Sequence, residues 1–230
     1  RKTSGYLQQQ GYTLHVLNLE DVAHSHECNP LADLQNYSDI ASIAHVLIRS
    51  ANAEAYDKDP VWYKGAEIML KVIISALKGM NDPRMLHLPN VLYTLQNMGR
   101  TQAFEAFLDR YADDTAWNQY SQLISSNAKM VQSYYAIATG ALDFLNDPAL
   151  AQIFATHELH FGQLRKQKTA LFLIIPPRKM KEYSVILNLV FTQLFTSLME
   201  RLPRPNDRSV YILADEFGHT AIPNFAPIST

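Results

Sequence analysis

The segment Lys168–Ile175 (KTALFLII) restricts the possible folds more than any other part of the sequence. It is an almost unbroken apolar run of strand length, and Pro176 and Pro177 follow it directly. A strand without polar alternation is typical of one that is buried on both faces of a parallel sheet. Because parallel neighbours need a crossover connection, usually a helix, the run predicts the α/β fold class.

Three further segments fit a sheet domain. Met180–Leu202 is strongly apolar and predicts a helix, and Ser209–Ala214 (SVYILA) predicts a second strand. The helix has a suitable length for a crossover, so we expect the strands on either side of it to be parallel neighbours. Tyr12–Leu19 (YTLHVLNL), which follows Gly11, predicts another short buried strand.

The intervening region has a different periodicity. From about Ser38 onward, apolar residues recur at helical spacing, and 38–155 is predicted to be essentially all helix. Helix start signals recur at Asp59-Pro60, Pro89, Thr101, Ser126 or Asn127, and Asp147-Pro148. The sequence therefore predicts a sheet domain that is interrupted by an inserted helical domain.

Composition excludes several classes of protein. The 230 residues include 47% hydrophobic and 18% charged residues, which excludes an intrinsically disordered chain. The net charge of −2 does not mark the chain as a whole as a polyanion binder. The single Cys excludes an internal disulfide, and the sequence has no apolar span of about 20 residues that could cross a bilayer.

The strongest candidate site is the pair Asp215 and Glu216, which ends the predicted strand at 209–214. Ligands of open α/β sheets bind at the carboxyl ends of the strands. In P-loop NTPases this arrangement is the Walker B element, in which the Asp holds Mg²⁺, usually through water, and the Glu polarises the attacking water. The alternative is a strand that ends in two solvated acids.

A Walker B element needs a partner of the form Gly-x-x-x-x-Gly-Lys-[Ser/Thr], and this sequence has none. Lys2-Thr3 matches only the last two residues of that pattern, and we interpret it as coincidental. Either the Asp-Glu pair is not a nucleotide site, or the phosphate loop lies upstream of Arg1. We expect the second, and therefore an internal piece of a longer protein.

At this point the sequence resembles the TraG/TraD-type coupling proteins of conjugation and type IV secretion. Several stretches are similar to segments of that family, in the same order and over nearly the whole chain. They are Lys2–Leu19, His26–Leu31 (HECNPL), Asp59–Ala66 (DPVWYKGA), Leu142–Leu150 (LDFLNDPAL), Thr169–Pro176 (TALFLIIP) and Leu213–Phe225 (LADEFGHTAIPNF). One departure is His219-Thr220-Ala221, which stands where many members have Asn-Leu-Gly.

The resemblance implies a partial RecA-like P-loop NTPase sheet, without its Walker A part, and an inserted all-α domain. It implies three parts: a partial nucleotide-binding domain at 1–56, the all-α domain at 57–155, and the Walker B part at 156–230. Asp215 would serve Mg²⁺ through water and Glu216 would activate water for ATP hydrolysis. This piece alone is expected to be inactive, because it lacks a Walker A.

The resemblance also implies the setting of the intact protein. It would be a homo-hexameric motor at the cytoplasmic face of the bacterial inner membrane, with ATP and Mg²⁺ as cofactors. Its partners would be relaxase or effector proteins, single-stranded DNA and components of the type IV secretion channel. The piece itself is expected to be soluble and cytoplasmic, and its size is also compatible with a monomer.

A basic window flanks the apolar run at 168–175 on both sides. In a hexameric motor such residues could contact the DNA backbone, which is recognised by charge. The alternative is a set of solvated charges beside a hydrophobic strand. The candidates for DNA contact are Arg165, Lys166, Lys168, Arg178, Lys179 and Lys181.

Two weaker patterns are also open to two interpretations. A zinc site is suggested by three residues of types that bind zinc, His24, His26 and Cys28. A polar loop explains the same residues. The acidic residues of the helical region suggest a docking face for basic relaxase or effector tails, or a plain solvated helix surface. They are Glu105, Asp109, Asp113 and Asp114.

Two rival functions remain at this stage. In the first, the helical region 57–155 is a substrate receptor and the strands are only its scaffold. In the second, the chain belongs to a related pumping ATPase of cell division or pilus assembly. Such ATPases share the Walker B element but are not expected to carry this helical insertion.

Overall fold

The computed structural model describes residues 2–213, in which two strands form a parallel sheet. β1 (Thr13–Asn18) pairs with β2 (Thr169–Ile174) in a register that sets Thr13 opposite Thr169 and Asn18 opposite Ile174. Both strands therefore lie where they were predicted, but β2 is not buried on both faces as expected, because it has only β1 as a neighbour among the described residues and each of its residues is at least partly exposed. Helix α1 (Lys2–Gln9) precedes β1, and Gly11, with φ of 78°, reverses the chain between them. Glycine adopts this conformation without the steric cost of a Cβ atom.

The predicted strand at Ser209–Ala214 is wrong for residues 209–213, which have no strand conformation. The prediction paired this segment with β2, but the neighbour of β2 in the structure is β1. Apolar character alone does not make a strand, because a strand also needs a partner for its backbone hydrogen bonds. Without a partner among the described residues, Tyr211 and Leu213 remain exposed. Ala214 lies outside the described residues.

The chain divides into two compact units. Among the described residues, the sheet unit comprises those up to Cys28 and those from His157 onward, and the helical unit comprises Asn29–Thr156. The helical unit thus begins before residue 57, where the sequence analysis placed its start, because the helix at 37–51 packs against helices of this unit. Assignment of the sheet unit to nucleotide binding stays a prediction.

The helical unit surrounds one central helix, α4 (Pro60–Gly79). The residues Leu70, Ile73 and Ile74 of α4 are completely buried. Every other helix of this unit except α9 packs against α4, and α9 packs against the 3₁₀ turn at Asp143–Asn146. The other helices are α2 (Tyr37–Ala51), α3 (Ala53–Lys58), α5 (Leu88–Gln96), α6 (Thr101–Tyr111), α7 (Asp114–Ile124), α8 (Ala128–Ala141) and α9 (Pro148–Ile153).

Several helices begin where the sequence predicts. The side chains of Asn127 and Asp147 accept hydrogen bonds from the backbone of the first turns of α8 and α9, as predicted. Pro60 opens α4 as predicted, but the Asp59 side chain makes no capping bond. Asn36 forms a capping box at the start of α2, because its side chain and that of Asp39 each accept from the other's backbone N–H.

The last helix, α10 (Ser184–Met199), belongs to the sheet unit and is shorter than the predicted Met180–Leu202. A short 3₁₀ turn at Pro177–Lys179 precedes it. Residues such as Ile186, Leu189 and Phe195 are buried on it. Within residues 2–213, no helix combines the length and the apolar character that a bilayer span requires.

Candidate functional site

The carboxyl ends of β1 and β2 lie side by side, because the strands are parallel and in register. The backbone N–H of Leu19 donates to the carbonyl oxygen of Ile174 at 3.1 Å, which extends the pairing to the last residue of β2. The loops that leave these strands therefore begin at the same edge. This is the edge at which open α/β sheets bind their ligands.

The loop after β1 is held by side-chain to backbone hydrogen bonds. Asn18 Oδ1 accepts from the backbone N–H of Glu20 at 3.0 Å and of Asp21 at 3.1 Å. The N–H of Asn18 in turn donates to Ser25 Oγ at 3.0 Å. Side-chain to backbone bonds of this kind compete with strand pairing, so β1 ends here. Glu20 lies in the turn that follows.

An ion pair joins the two loops at this edge. Arg178 Nη2, from the turn after β2, lies 2.9 Å from Glu20 Oε1. Both side chains are more than half exposed, so the pair contributes at most about 1 kcal/mol to stability. Glu20 was not among the predicted site residues. Its position directly after an apolar strand was the signal that could have identified it.

The predicted catalytic pair, Asp215 and Glu216, lies outside the described residues. The described part of the carboxyl edge offers few free oxygen ligands for a hard cation such as Mg²⁺. Glu20 is paired with Arg178, and Asn18 Oδ1 already accepts two hydrogen bonds. The carboxylate of Asp21 lies 2.8 Å from His24 Nδ1. These described residues do not form a magnesium site by themselves, and Asp215 remains the predicted ligand.

The basic window does not form one patch. Arg165, Lys166 and Lys168 lie before β2, and Arg178, Lys179 and Lys181 lie after it. A six-residue strand separates its ends by roughly 17 Å, at about 3.3 Å per residue. The six candidates for DNA contact are thus divided between the two ends of β2, three at its amino end and three at its carboxyl end.

Half of these cations have local partners. Lys168 Nζ donates to the carbonyl oxygen of Gln10 at 3.0 Å and lies over the ring of Tyr12. Lys179 Nζ donates to the hydroxyl oxygen of Tyr183 at 2.8 Å, which raises the pKa of the lysine. Arg178 is paired with Glu20, as described above. The side chains of Arg165, Lys166 and Lys181 have no such partner among residues 2–213.

The histidines of the loop after β1 are engaged in local hydrogen bonds. His26 Nδ1 accepts from the backbone N–H of Val16 at 3.1 Å, and His24 contacts Asp21. Cys28 is completely buried. The ring of His26 lies edge-on to that of His15, with 5.1 Å between centroids. Burial, and then the proximity of His26, lower the pKa of His15. These contacts favour the polar-loop interpretation of the His-rich segment.

The acidic residues of the helical unit fall into two groups. Asp113 caps α7 by accepting from the N–H of Ala116 at 2.7 Å, and it also accepts from the hydroxyl of Ser75 at 3.1 Å. Glu105 lies at 3.5 Å from the Tyr120 hydroxyl. Asp109 and Asp114 are exposed. Only part of this set is therefore available to a partner.

Comparison with known proteins identifies the family. Residues 1–221 match the family model described as type IV secretory system conjugative DNA transfer. The chain belongs to this family. The resemblance to coupling proteins is thereby confirmed, and the match covers nearly the whole sequence.

Individual relatives are more distant. The chain is 26% identical over 102 residues to Protein VirD4 of Rhizobium radiobacter, and 24% identical over 102 residues to Protein VirD4 of Agrobacterium fabrum. Each match covers 44% of this chain and 15% of the relative. The chain thus matches only a small part of the length of these curated relatives.

A solved coupling protein has a similar fold. The unbound monoclinic form of the bacterial conjugative coupling protein TrwB matches with a TM-score of 0.56 at 10% identity. The match covers 84% of this chain and 42% of that protein. At this identity the comparison shows the fold of this type IV coupling protein family member, which combines helices with a small parallel sheet.

Proposed function

We propose that this chain is part of an ATP-driven motor that recruits DNA, or a relaxase–DNA or protein substrate, and moves it to a type IV secretion channel. The observation that carries the proposal is the parallel pairing of β1 with β2 across the inserted unit Asn29–Thr156. That pairing sets up a carboxyl edge of the kind at which nucleotides bind. The family match extends through Asp215 and Glu216.

The chemical roles follow from residue type. Asp215 would hold Mg²⁺ through water, and Glu216 would accept a proton from the attacking water as the general base. When bound, ATP with its Mg²⁺ supplies the phosphoryl group that is transferred to water. The Walker A part, the hexameric assembly and anchorage at the inner membrane would belong to the intact protein.

A DNA transfer assay tests the motor directly. Donor cells would carry the full-length protein with Glu216→Gln, and the control would carry Glu54→Gln, a change of the same kind at an exposed position of α3. General-base removal typically costs 10²- to 10⁴-fold in rate, so transfer frequency should fall about 100-fold or more. Transfer at the wild-type level with Glu216→Gln would refute the motor proposal.

A second candidate function is substrate reception by the helical unit. It is favoured by the exposed carboxylates of Asp109 and Asp114, which lie near each other in sequence at the α6–α7 junction. Replacement of both by Asn should weaken binding of a basic relaxase or effector tail while ATP hydrolysis stays at the wild-type rate. Unchanged binding by the double variant would exclude this face as the receptor.

A further inference from the structure

A small basic pocket lies at the edge of the sheet unit opposite to the proposed nucleotide edge. Its volume is about 120 Å³, and it lies between the segment 161–166 and the end of α10. The pocket is small and its lining is rich in cations, which suits an oxyanion such as a phosphate group. Arg165, Lys166 and Arg201 line it, together with Ser197 and Glu200.

One of these cations is already neutralised. The guanidinium of Arg201 contacts both carboxylate oxygens of Asp207, at 2.5 Å and 3.0 Å. The carboxylate of Asp207 also accepts from the backbone N–H of Arg204 at 2.8 Å. The hydrogen bond from Arg201 holds the pKa of Asp207 well below its usual range, so the carboxylate stays ionised. This pair fixes the shape of the loop that follows α10.

The same loop passes beside the pocket, and the charge of Asp207 also attracts Arg165. The backbone N–H of Arg208 donates to the carbonyl oxygen of Arg165 at 2.9 Å, which ties the loop beside the pocket. The side chains of Arg165, Lys166, Arg204 and Arg208 have no ion-pair partner in the part of the chain that the structure describes. Three cations therefore line the pocket together with the carboxylate of Glu200.

Arg165 adds a sign that points to a ligand. Its Nε atom is buried and has no hydrogen-bond partner among the described residues. A buried donor without a partner costs about 1–3 kcal/mol, and more when the group is charged. An oxyanion in the pocket would give the guanidinium group of Arg165 an acceptor, and the hydroxyl of Ser197 is a second donor in the lining.

We infer that this pocket binds a backbone phosphate of single-stranded DNA, with Arg165 and Lys166 as the direct contacts. The inference rests on the proposed function, because it takes DNA as the transported molecule. Phosphate contacts of this kind are sequence-independent, as a motor for arbitrary DNA requires. The DNA and the nucleotide would then occupy opposite edges of the sheet.

The concave shape favours DNA over a membrane surface. A lipid surface is bound by basic residues around projecting apolar side chains, and Leu202 and Met199 are exposed nearby. The cations, by contrast, line a concave pocket. Binding to anionic vesicles is therefore kept as a separate arm of the test.

The test measures binding of the full-length protein to a fluorescently labelled single-stranded oligonucleotide over a series of salt concentrations, without nucleotide. The variants are Arg165→Gln, Lys166→Gln and their combination. The matched control is Lys181→Gln, an exposed cation at the other end of β2. Each single change should weaken binding roughly tenfold, as expected for one charge-assisted hydrogen bond. A plot of the logarithm of the binding constant against the logarithm of the salt concentration should be shallower by about 1.4 for the double variant. Each phosphate contact to a single strand contributes about 0.7 to this slope.

Further variants separate the alternatives. Glu200→Gln should tighten DNA binding, because it removes a carboxylate from the lining of the pocket. Arg165→Lys keeps the charge but loses the guanidinium donors, so it should bind DNA more tightly than Arg165→Gln and less tightly than the wild type. The inference is overturned if Lys181→Gln weakens binding as much as Lys166→Gln, or if the double variant keeps the wild-type salt slope. It is also overturned if anionic vesicles, but not DNA, lose affinity with Leu202→Gln and the double variant.

Failure of this site and failure of the motor give different results. If the double variant binds DNA normally while the wild type still shows ATP hydrolysis that depends on Glu216, only the site is wrong. If Glu216→Gln leaves hydrolysis unchanged while the double variant loses DNA binding, the motor proposal is wrong and the phosphate site stands.

Discussion

The helical unit and the sheet unit differ in how completely they bury their apolar residues. In the helical unit α4 is enclosed by other helices, and Leu70, Ile73 and Ile74 are completely buried. In the sheet unit every residue of β2 is at least partly exposed, and Ile174 is 43% exposed. The difference indicates that α4 lies in a closed core, whereas β2 does not; the buried side chains of the sheet unit lie mainly on α10 and at Leu17 of β1.

The largest expected difference comes from truncating one leucine in each unit. Leu70→Ala should lower the free energy of unfolding by about 2–5 kcal/mol, because it leaves a cavity in a closed core. Leu173→Ala in β2 should cost about 1 kcal/mol, because a side chain that is already partly exposed loses less burial. Urea unfolding of the two variants measures both values. Equal losses would contradict the contrast between the units.

Two glycines test how tightly the helical unit is packed. A Cβ atom at Gly79 would overlap the backbone of Tyr111, so Gly79→Ala should destabilise the protein by about 1–3 kcal/mol. Gly140 in α8 has open space around its Cα atom, so Gly140→Ala should raise stability by about 0.5–1 kcal/mol. Thermal unfolding should therefore shift in opposite directions. A neutral Gly79→Ala would show that this contact is not tight.

Neighbouring aspartates separate structural from surface acids. Asp113→Ala removes the α7 cap and the acceptor of the buried Ser75 hydroxyl, and should cost about 1–2 kcal/mol. Asp114→Ala, in the exposed first turn, should cost about 0.3–1 kcal/mol through the helix dipole alone. Chemical unfolding of the pair measures this difference. If Asp114→Ala proved the more damaging, the assignment of roles in this acidic stretch would be reversed.

The smallest effect concerns Tyr56, which joins α3 to α4. Burial, and then its hydrogen bond to Glu67 Oε1 at 2.7 Å, raise the pKa of Tyr56 from 10.0 to about 12. The stability that this neutral phenol contributes is fully present below pH 10 and is lost as the pH rises through about 12. A pH titration that follows tyrosinate absorbance measures this ionisation. The wild type should show one more tyrosine that ionises near pH 12 than Tyr56→Phe does. An identical titration of the variant and the wild type would contradict the burial of this hydroxyl.

Local signals in the sequence predicted local structure well. Asn127 and Asp147 cap the helices that they were expected to cap, and both described strands lie where apolar runs occur. Helix α3 lies inside the region predicted to be all helix, but no separate start was predicted for it, because its six residues, AEAYDK, contain one large apolar side chain. Its helix depends on Tyr56 reaching Glu67 on α4, a tertiary contact that periodicity does not encode.

Strand pairing was the part that the sequence could not provide. The apolar runs indicated strands, but which strand lies beside β2 depends on contacts between segments about 150 residues apart in the chain. The division of the basic window between two edges, and the pairing of Arg201 with Asp207, are likewise consequences of tertiary structure. The proposed catalytic residues Asp215 and Glu216 were identified from the sequence pattern alone.

The most direct test of the account is ATP hydrolysis by the full-length protein, with and without single-stranded DNA, beside Glu216→Gln. The wild type is expected to hydrolyse ATP, and the variant is expected to bind nucleotide but lose hydrolysis. If the variant is as active as the wild type, or if the wild type neither binds nor hydrolyses ATP, Asp215 and Glu216 are solvated acids and the motor interpretation is wrong.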